Sequence, residues 1–394
     1  MDDLSGPKFE MRSMKIGSWR FQEWWVAIYA IGLTLIPPIQ IHNRLVFAGE
    51  WLLLPLILAV ALKGNIQKPR GPLLYLWGAC LIVFLAGFFR GNLANQISIY
   101  DLTPFKYFSI KDDGIVFVRT FILFSTPWLL RNAFQEKRQE GLKIFLTTFK
   151  WAILVSSLLA ILDERALGLI NLKSWGYISS EYEFWSHRAR GTFNTPIDAS
   201  FMYGVSAVYL LTGPDLLLKR PFNLAVLIFS CVALVLTHGG TAIGSLLVVV
   251  FAYMVLGRTF KKKDIAIAIG LTILALFFST FLLPHNFLAQ KSGDFVYRIK
   301  TYRNYLNALP SSPWIFLVGI GYSRLCSDNN FILLFIQGGI LYFVSVLNWV
   351  WTLLSHISKS FVFVFLFWIM TWLSFDTMTY WGIGRFCWVL FGLI

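Results

Sequence analysis

The sequence predicts an all-α polytopic membrane protein of about 11 or 12 transmembrane helices, on three observations. Of the 394 residues, 57% are hydrophobic and 14% are charged, whereas soluble chains carry roughly 25% charged residues. The hydrophobic residues form runs of roughly 16 to 25 residues, the length that a helix needs to cross a bilayer. The short alternating segments of a transmembrane barrel are missing. Backbone amides in hydrocarbon must be paired within their own segment, so we expect the runs to be helices.

The runs and the short polar breaks between them define one integral membrane domain over residues 1–394. The last two runs are short enough to form a single re-entrant pair, which is why the prediction is 11 or 12 spans. The predicted spans lie near residues 22–40, 45–62, 72–90, 115–130, 143–162, 196–213, 222–237, 241–257, 265–284, 329–354, 361–376 and 380–394.

The orientation follows from the Lys and Arg residues of the short loops. These residues collect on the side that holds the N-terminus, which the positive-inside rule places in the cytoplasm. Three longer segments, 91–114, 163–195 and 285–328, then face the opposite side of the membrane. Loops of this length are commonly functional, so we expect the site in these segments.

The net charge of +14 has two interpretations. Nucleic-acid binding requires a basic soluble module, and the sequence contains none. The excess of basic residues lies in loops, where topology signals and attraction to anionic membrane lipids account for most of it. The remainder suits an anionic substrate.

The first candidate cluster precedes the sixth predicted span and contains His187, Arg188 and Arg190. Two arginines at a membrane boundary can hold a diphosphate through charge-assisted, often bidentate hydrogen bonds. Gly191 and Pro196 then allow a close backbone approach and a helix start. An interfacial anchor whose side chains reach the lipid headgroups explains the arginines equally well.

The second cluster lies in the segment 285–328 and contains Arg298, Lys300, Arg303 and Arg324. The pattern of residues 297–305 predicts a short amphipathic helix on which Arg298 and Tyr302 share a face. The alternative is a helix that lies on the bilayer surface with its basic face solvated.

The third element is Asp328 and Asn329, at the head of the tenth predicted span. Both residue types suit a helix cap, and composition favours that role. A carboxylate beside a dry site can also accept the proton of a sugar hydroxyl as a general base. The two roles are compatible.

Arg119 lies inside the fourth predicted span, where we expect Asp112 or Asp113 as its partner and where a structural ion pair and a substrate contact are equally good explanations. We expect Asp376 and Arg385 to tether the last helices. No motif for a metal, a nucleotide or a serine nucleophile is present.

The spacing around Asp328 carries a family resemblance. Asp328 and Asn329 precede nine residues, then Gly339, two residues and Tyr342. This arrangement resembles the O-antigen polymerase and O-antigen ligase superfamily, whose members show His or Asp, then Asn, nine residues, Gly, two residues and Gly, Thr or Tyr.

Other segments between residues 185 and 345 are similar to the same superfamily, in the same order. They are Arg188–Phe193, Leu236–Ala242, Arg298 with Tyr302, and Pro313–Tyr322. Two positions depart from the pattern. Gly240 stands where the family often has Arg, and Asp328 stands where ligases have an essential His, which favours the polymerase side.

The resemblance implies an inverting, metal-independent glycosyltransferase without a cofactor. Its substrate is implied to be an undecaprenyl-diphosphate-linked oligosaccharide, polymerised at the periplasmic face of the bacterial inner membrane among membrane lipids. A chain-length regulator is an implied partner, and nucleic acid is not.

The same resemblance implies roles for individual residues. Asp328 and Arg298 are the catalytic candidates. The diphosphate candidates are Arg188, Arg190, Arg298 and Arg303. The glycan candidates are Asn329, Tyr302, Trp185 and His187.

Two alternatives remain. A ligase that transfers finished glycan to lipid A core differs at this level only through Asp328. A transporter of the same lipid-linked glycan predicts charged residues deep in several spans around a central cavity.

Overall fold

The fold is given by a computed structural model of the chain. It describes residues 21–37, 39–41, 44–62, 66–89, 110–175, 177, 188–193, 195–213, 221–256, 303–304, 306–322, 330–358, 361–372 and 382–394.

Within these residues the protein is helical apart from one short antiparallel hairpin. The elements are α1 Phe21–Thr34, β1 Ile39–Ile41, β2 Arg44–Val46, α2 Ala48–Trp51, α3 Leu53–Leu62, α4 Gly71–Phe89, α5 Ile110–Phe134, α6 Arg138–Leu162, α7 Pro196–Thr212, α8 Pro221–Leu236, α9 Gly240–Leu256, α10 Trp314–Val318, α11 Asn330–Leu354, α12 Val362–Thr371 and α13 Gly382–Leu393. Short 3₁₀ turns occupy Gln135–Lys137 and Leu172–Trp175.

The helices confirm the helical membrane fold. Four are long and apolar enough to cross a membrane, and shorter apolar helices accompany them. The four are Gly71–Phe89, Asp113–Phe134, Arg138–Leu162 and Asn330–Leu354. Every predicted span except 265–284, which lies outside the described residues, overlaps a helix or the pair α2 and α3. The first is shorter than predicted, because α1 ends at Thr34 and residues 39–41 form β1. The count of 11 or 12 spans stays a prediction. The side of the membrane that each end faces stays a prediction.

The outer faces of the helices are as apolar as their inner faces. On α4 the side chains of Leu74, Leu81, Leu85 and Phe89 are exposed, while Leu76 is completely buried. A helix with apolar side chains on both faces suits contact with protein on one side and with lipid on the other.

The centre of the bundle is α13, in which every residue is buried. It packs against α5, α6 and α7. Its aromatic rings join a cluster in which Trp388 lies edge-on to Trp368, with ring centroids 5.3 Å apart, and Phe391 stacks on Phe365 at 3.9 Å.

One end of the bundle, called the site end below, is where α1 and α6 finish and where α2, α7 and α13 begin. The last two helices cross from one end to the other in opposite directions. α12 starts beside Tyr209, near the finish of α7, and ends where the Trp372 carbonyl accepts the N–H of Asn330. α13 starts beside Asp198 at the site end and finishes with Leu393 beside Gly141, at the start of α6. They therefore run antiparallel, and the choice between two spans and one re-entrant pair stays a prediction.

The segment around α10 enters the bundle. α11 breaks at Gly339, where φ is 58° and ψ is −163°, a conformation that favours glycine. The N–H groups of Ile320 and Gly321 donate to the carbonyls of Ile336 and Gln337, at 3.0 and 2.9 Å. Residues 314–322, predicted as part of the outward segment 285–328, thus pack beside the interior of α11.

Candidate functional site

A small crevice opens at the site end of the bundle. Its walls come from the end of α1, the start of α2, the segment before α7, and the first turns of α7 and α13. The lining residues are Gly32, Leu33, Thr34, Ile36, Phe47, Gly49, Thr192, Phe193, Asp198, Gly382 and Arg385.

The segment 188–193 is held beside this crevice by three sets of contacts. The N–H of Ala189 donates to the carbonyl of Leu236 at the end of α8, at 3.1 Å. The hydroxyl of Thr192 donates to the carbonyl of Thr34 and lies 2.6 Å from the hydroxyl of Ser156. The segment is therefore fixed to α1, α6 and α8 together.

Gly191 provides the close approach that this segment needs. Its φ is +57°, which favours glycine, and a Cβ at this position would lie 2.8 Å from the carbonyl oxygen of Ser156 and would also meet the hydroxyl of Tyr203. We expected a close backbone approach here from the sequence, and the element that Gly191 approaches is α6; an approach to a diphosphate stays a prediction.

Both arginines of the first cluster are buried. Arg188 is 6% exposed and Arg190 is 3% exposed. The Nη2 of Arg190 donates to the carbonyl of Tyr177 at 2.9 Å, and the Tyr177 hydroxyl donates to the carbonyl of Leu35 at 2.9 Å. Side chains that only anchored the protein to lipid headgroups would extend into the interface instead.

Burial controls the electrostatics of this region. It lowers the pKa of Arg190 to about 10, the nearby charge of Arg165 lowers it further, and Asp163 and Glu164 oppose the change. Burial also raises the pKa of Asp163, against the opposing hydrogen bonds from the N–H groups of Arg165 and Arg190. Charges in such a dry region interact more strongly with one another and with a ligand than charges in water.

A network of charges from four helices lies at the crevice. Glu50, on α2, accepts from Arg385 of α13 at 2.9 Å and pairs with Arg119 of α5 at 3.1 Å. The guanidinium of Arg385 also lies over the ring of Phe47, 4.3 Å from its centroid, in a cation–π arrangement. The positive charge of Arg385 acts on Asp198, in the first turn of α7.

Asp198 is the carboxylate that faces the crevice. Thr195 caps α7 by accepting the N–H of Asp198 at 3.1 Å, and Pro196 occupies the first turn. One carboxylate oxygen of Asp198 accepts the N–H of Gly382 at 2.8 Å. This bond ties the starts of α7 and α13 together and fixes the carboxylate.

The structure describes three of the nine predicted site residues. Arg188 and Arg190 lie together, whereas Arg303 is exposed in the short helical piece at residues 303–304. The remaining six lie outside the described residues: Asp328, Arg298, Asn329, Tyr302, Trp185 and His187. The predicted meeting of Arg188, Arg298 and Asp328 stays a prediction.

Two pairs of the segments that carry the family resemblance are nevertheless in contact. Arg188–Phe193 touches Leu236–Ala242 through the Ala189 hydrogen bond, and Pro313–Tyr322 touches α11 around Gly339. In the second pair the rings of Tyr322 and Tyr342 are 6.1 Å apart.

Glu50 is a functional candidate that the sequence did not reveal. We expected an acidic residue of its own helix as the partner of Arg119, and Asp376 as the partner of Arg385; Glu50 contacts both arginines. Asp376 lies outside the described residues. The sequence did contain a signal for this role. Glu50 lies inside the apolar run 45–62, and an acid in a membrane span needs a cation as its partner.

The fold and this crevice define a helical membrane protein with buried arginines and carboxylates at one end of its bundle. No family model matches the chain, and no curated protein matches it significantly.

Proposed function

We propose that the protein is an inverting glycosyltransferase that polymerises undecaprenyl-diphosphate-linked oligosaccharide repeat units at the periplasmic face of the bacterial inner membrane. The observation that carries the proposal is the burial of two arginines, Arg188 and Arg190, on a rigid segment beside a crevice at one end of a membrane bundle.

The chemistry of guanidinium supports this role. Guanidinium groups keep their charge at physiological pH and match the oxygens of a diphosphate in bidentate geometry. When the bond between the anomeric carbon and the diphosphate breaks, negative charge develops on the leaving oxygen. Fixed cations in a dry site stabilise that charge without a metal ion. Arg298 and Arg303 remain proposed as further diphosphate contacts, and Asp328 as a general base.

The positions of the buried charges favour an enzyme over a transporter. Glu50, Arg119, Asp198 and Arg385 collect at the site end, whereas a transport pathway requires polar groups along the whole bundle. Other buried charges lie outside this group, among them Lys150 of α6, which donates to Asn223 at 3.3 Å, and Glu23 at the start of α1, which lies 3.9 Å from Lys137.

The test uses purified protein in detergent with synthetic undecaprenyl-diphosphate repeat units. The wild-type protein should lengthen the glycan on its lipid carrier. Arg188→Ala and Arg190→Ala should each lower kcat/KM about 10- to 100-fold, the effect of losing a charged hydrogen bond in the transition state. Arg138→Ala is the matched control, since Arg138 begins α6 at the opposite end of the bundle.

The products separate the possible functions. Longer chains on the carrier support a polymerase, and product on lipid A core alone indicates a ligase. Movement of the lipid across vesicles without product indicates a transporter. Normal elongation by both arginine variants would refute the diphosphate role.

A further inference from the structure

The carboxylate of Asp198 has an unusual environment for a residue in the first turn of a membrane helix. Its side chain lines the crevice and the residue is only 5% exposed. The cap of α7 is the hydroxyl of Thr195, so the Asp198 side chain does not cap its own helix; one of its oxygens serves the start of α13, where it accepts the N–H of Gly382. A buried acid at this place needs another purpose or a compensating contact.

The two oxygens of Asp198 differ. Oδ1 accepts the backbone N–H of Gly382 at 2.8 Å, which fixes the orientation of the carboxylate. Among the residues that the structure describes, Oδ2 has no hydrogen-bond donor. Oδ2 is thus held in place at the crevice, where it can accept a hydrogen bond from a ligand.

The walls around Asp198 suit a polar group that carries no charge. Thr34 and Thr192 contribute hydroxyls, and Phe47 and Phe193 contribute aromatic rings. The nearest charges are balanced once Asp198 is included, because Arg119 and Arg385 both pair with Glu50 and the second positive charge is offset by Asp198, on which Arg385 acts. A second anion would meet the Asp198 carboxylate, whereas a hydroxyl group can donate to it.

Resting on the proposed function, we infer that Asp198, in place of Asp328, is the catalytic residue that receives a sugar hydroxyl of the acceptor in this crevice and takes its proton. The hydroxyl oxygen forms a bond to the anomeric carbon of the lipid-linked donor. The bond from that carbon to the diphosphate oxygen breaks, and its electron pair leaves with the diphosphate. The proton moves to Oδ2 of Asp198 and is later released to water.

The crevice and the two arginines share one segment of the chain. Thr192 and Phe193 line the crevice, and Arg188 and Arg190 precede them on the same fixed segment. The arginines then hold the donor, and Asp198 acts on the acceptor. This division of roles predicts that variants at the two places affect different kinetic constants.

The experiment compares Asp198→Asn with the wild-type protein. Asparagine keeps an oxygen that can accept the Gly382 N–H but cannot take a proton. We expect kcat for elongation to fall about 100- to 10,000-fold, the usual contribution of a general base, while binding of undecaprenyl diphosphate alone stays unchanged. Asp198→Glu restores a carboxylate and should recover part of the lost rate.

Asp113→Asn is the matched control. Asp113 is a buried carboxylate of α5 that does not line the crevice, so its variant should elongate normally. If Asp198→Asn elongates at the wild-type rate, the inference is wrong and the proposed function stands. If this variant loses thermal stability and donor binding together, and glutamate restores neither, Asp198 is structural. If the wild-type protein neither binds the lipid diphosphate nor elongates, both proposals fall.

Discussion

Replacing Gly191 with alanine tests whether the arginine segment depends on its close contact with α6. The new methyl group would meet the hydroxyl of Tyr203 and would lie 2.8 Å from the carbonyl oxygen of Ser156 and 3.1 Å from the Cβ of Ala160. Tyr203 cannot easily move aside, because its hydroxyl is hydrogen-bonded to Ser156 and the residue is completely buried.

The expected decrease in the free energy of unfolding has two parts, one from backbone conformation and one from packing. A residue with a Cβ in the left-handed conformation costs about 1–2 kcal/mol. Forcing one extra methyl group into a packed site costs about 1–3 kcal/mol. Gly191→Ala should therefore lower the free energy of unfolding by about 2–5 kcal/mol, or displace the segment that carries Arg188 and Arg190 and weaken diphosphate binding.

Gly168→Ala is the control that separates the conformational cost from the packing cost. Gly168 also has a positive φ, +71°, but the nearest atom to a Cβ there is the Glu164 carbonyl oxygen at 4.0 Å. It should lose only the conformational part, about 1–2 kcal/mol. Unfolding of both variants by SDS in mixed micelles, with undecaprenyl diphosphate binding in parallel, gives the comparison. Equal losses in both variants, with normal binding, would show that the contact with α6 does not hold the segment.

Two further predictions concern charges. Glu50→Gln removes the carboxylate shared by Arg119 and Arg385 and should destabilise the protein by about 1–3 kcal/mol, between the values for exposed and for buried pairs, because the Glu50 side chain is 19% exposed. Lys137→Gln, which removes a half-exposed lysine, should cost at most about 1 kcal/mol in the same SDS assay. Burial raises the pKa of Asp163 above its unfolded value. The ionised carboxylate therefore lowers the free energy of unfolding at neutral pH. This destabilisation decreases as the pH falls below the folded pKa, because Asp163 then takes up a proton in the folded protein. Asp163→Asn should therefore be more stable than the wild-type protein at neutral pH. The difference between their thermal unfolding temperatures should become smaller in acid. A larger difference in acid would show that burial does not dominate the pKa of Asp163.

The helices could be predicted from the sequence because their causes are local. Apolar run length located α4, α6 and α11 within a few residues, and Pro196 marked the start of α7. The burial of the arginine cluster could not be decided in the same way. From the residues alone, a diphosphate site and a lipid anchor were equally good explanations of the two arginines. The contacts with Tyr177 and Leu236 show that the segment is fixed against the bundle rather than lying at its surface.

Contacts between residues that are far apart in the chain could not be predicted from the sequence. Glu50 and Arg385 are 335 positions apart, and no periodicity in either run indicates that their helices meet at the same level. The entry of residues 314–322 into the bundle is of the same kind. It requires a break in α11 that frees two carbonyls, and Gly339 alone is consistent with an ordinary helix as well.

The hydrogen bonds between residues 320–321 and 336–337 have a consequence for biogenesis. Ribosomes complete the chain in order, so Ile320 and Gly321 emerge before the carbonyls that will receive them. Their unpaired amides are costly in hydrocarbon until that later stretch arrives. We therefore expect the translocon to retain residues 314–322, or leave them in water, until α11 has been made, and to release the two pieces into lipid as one unit.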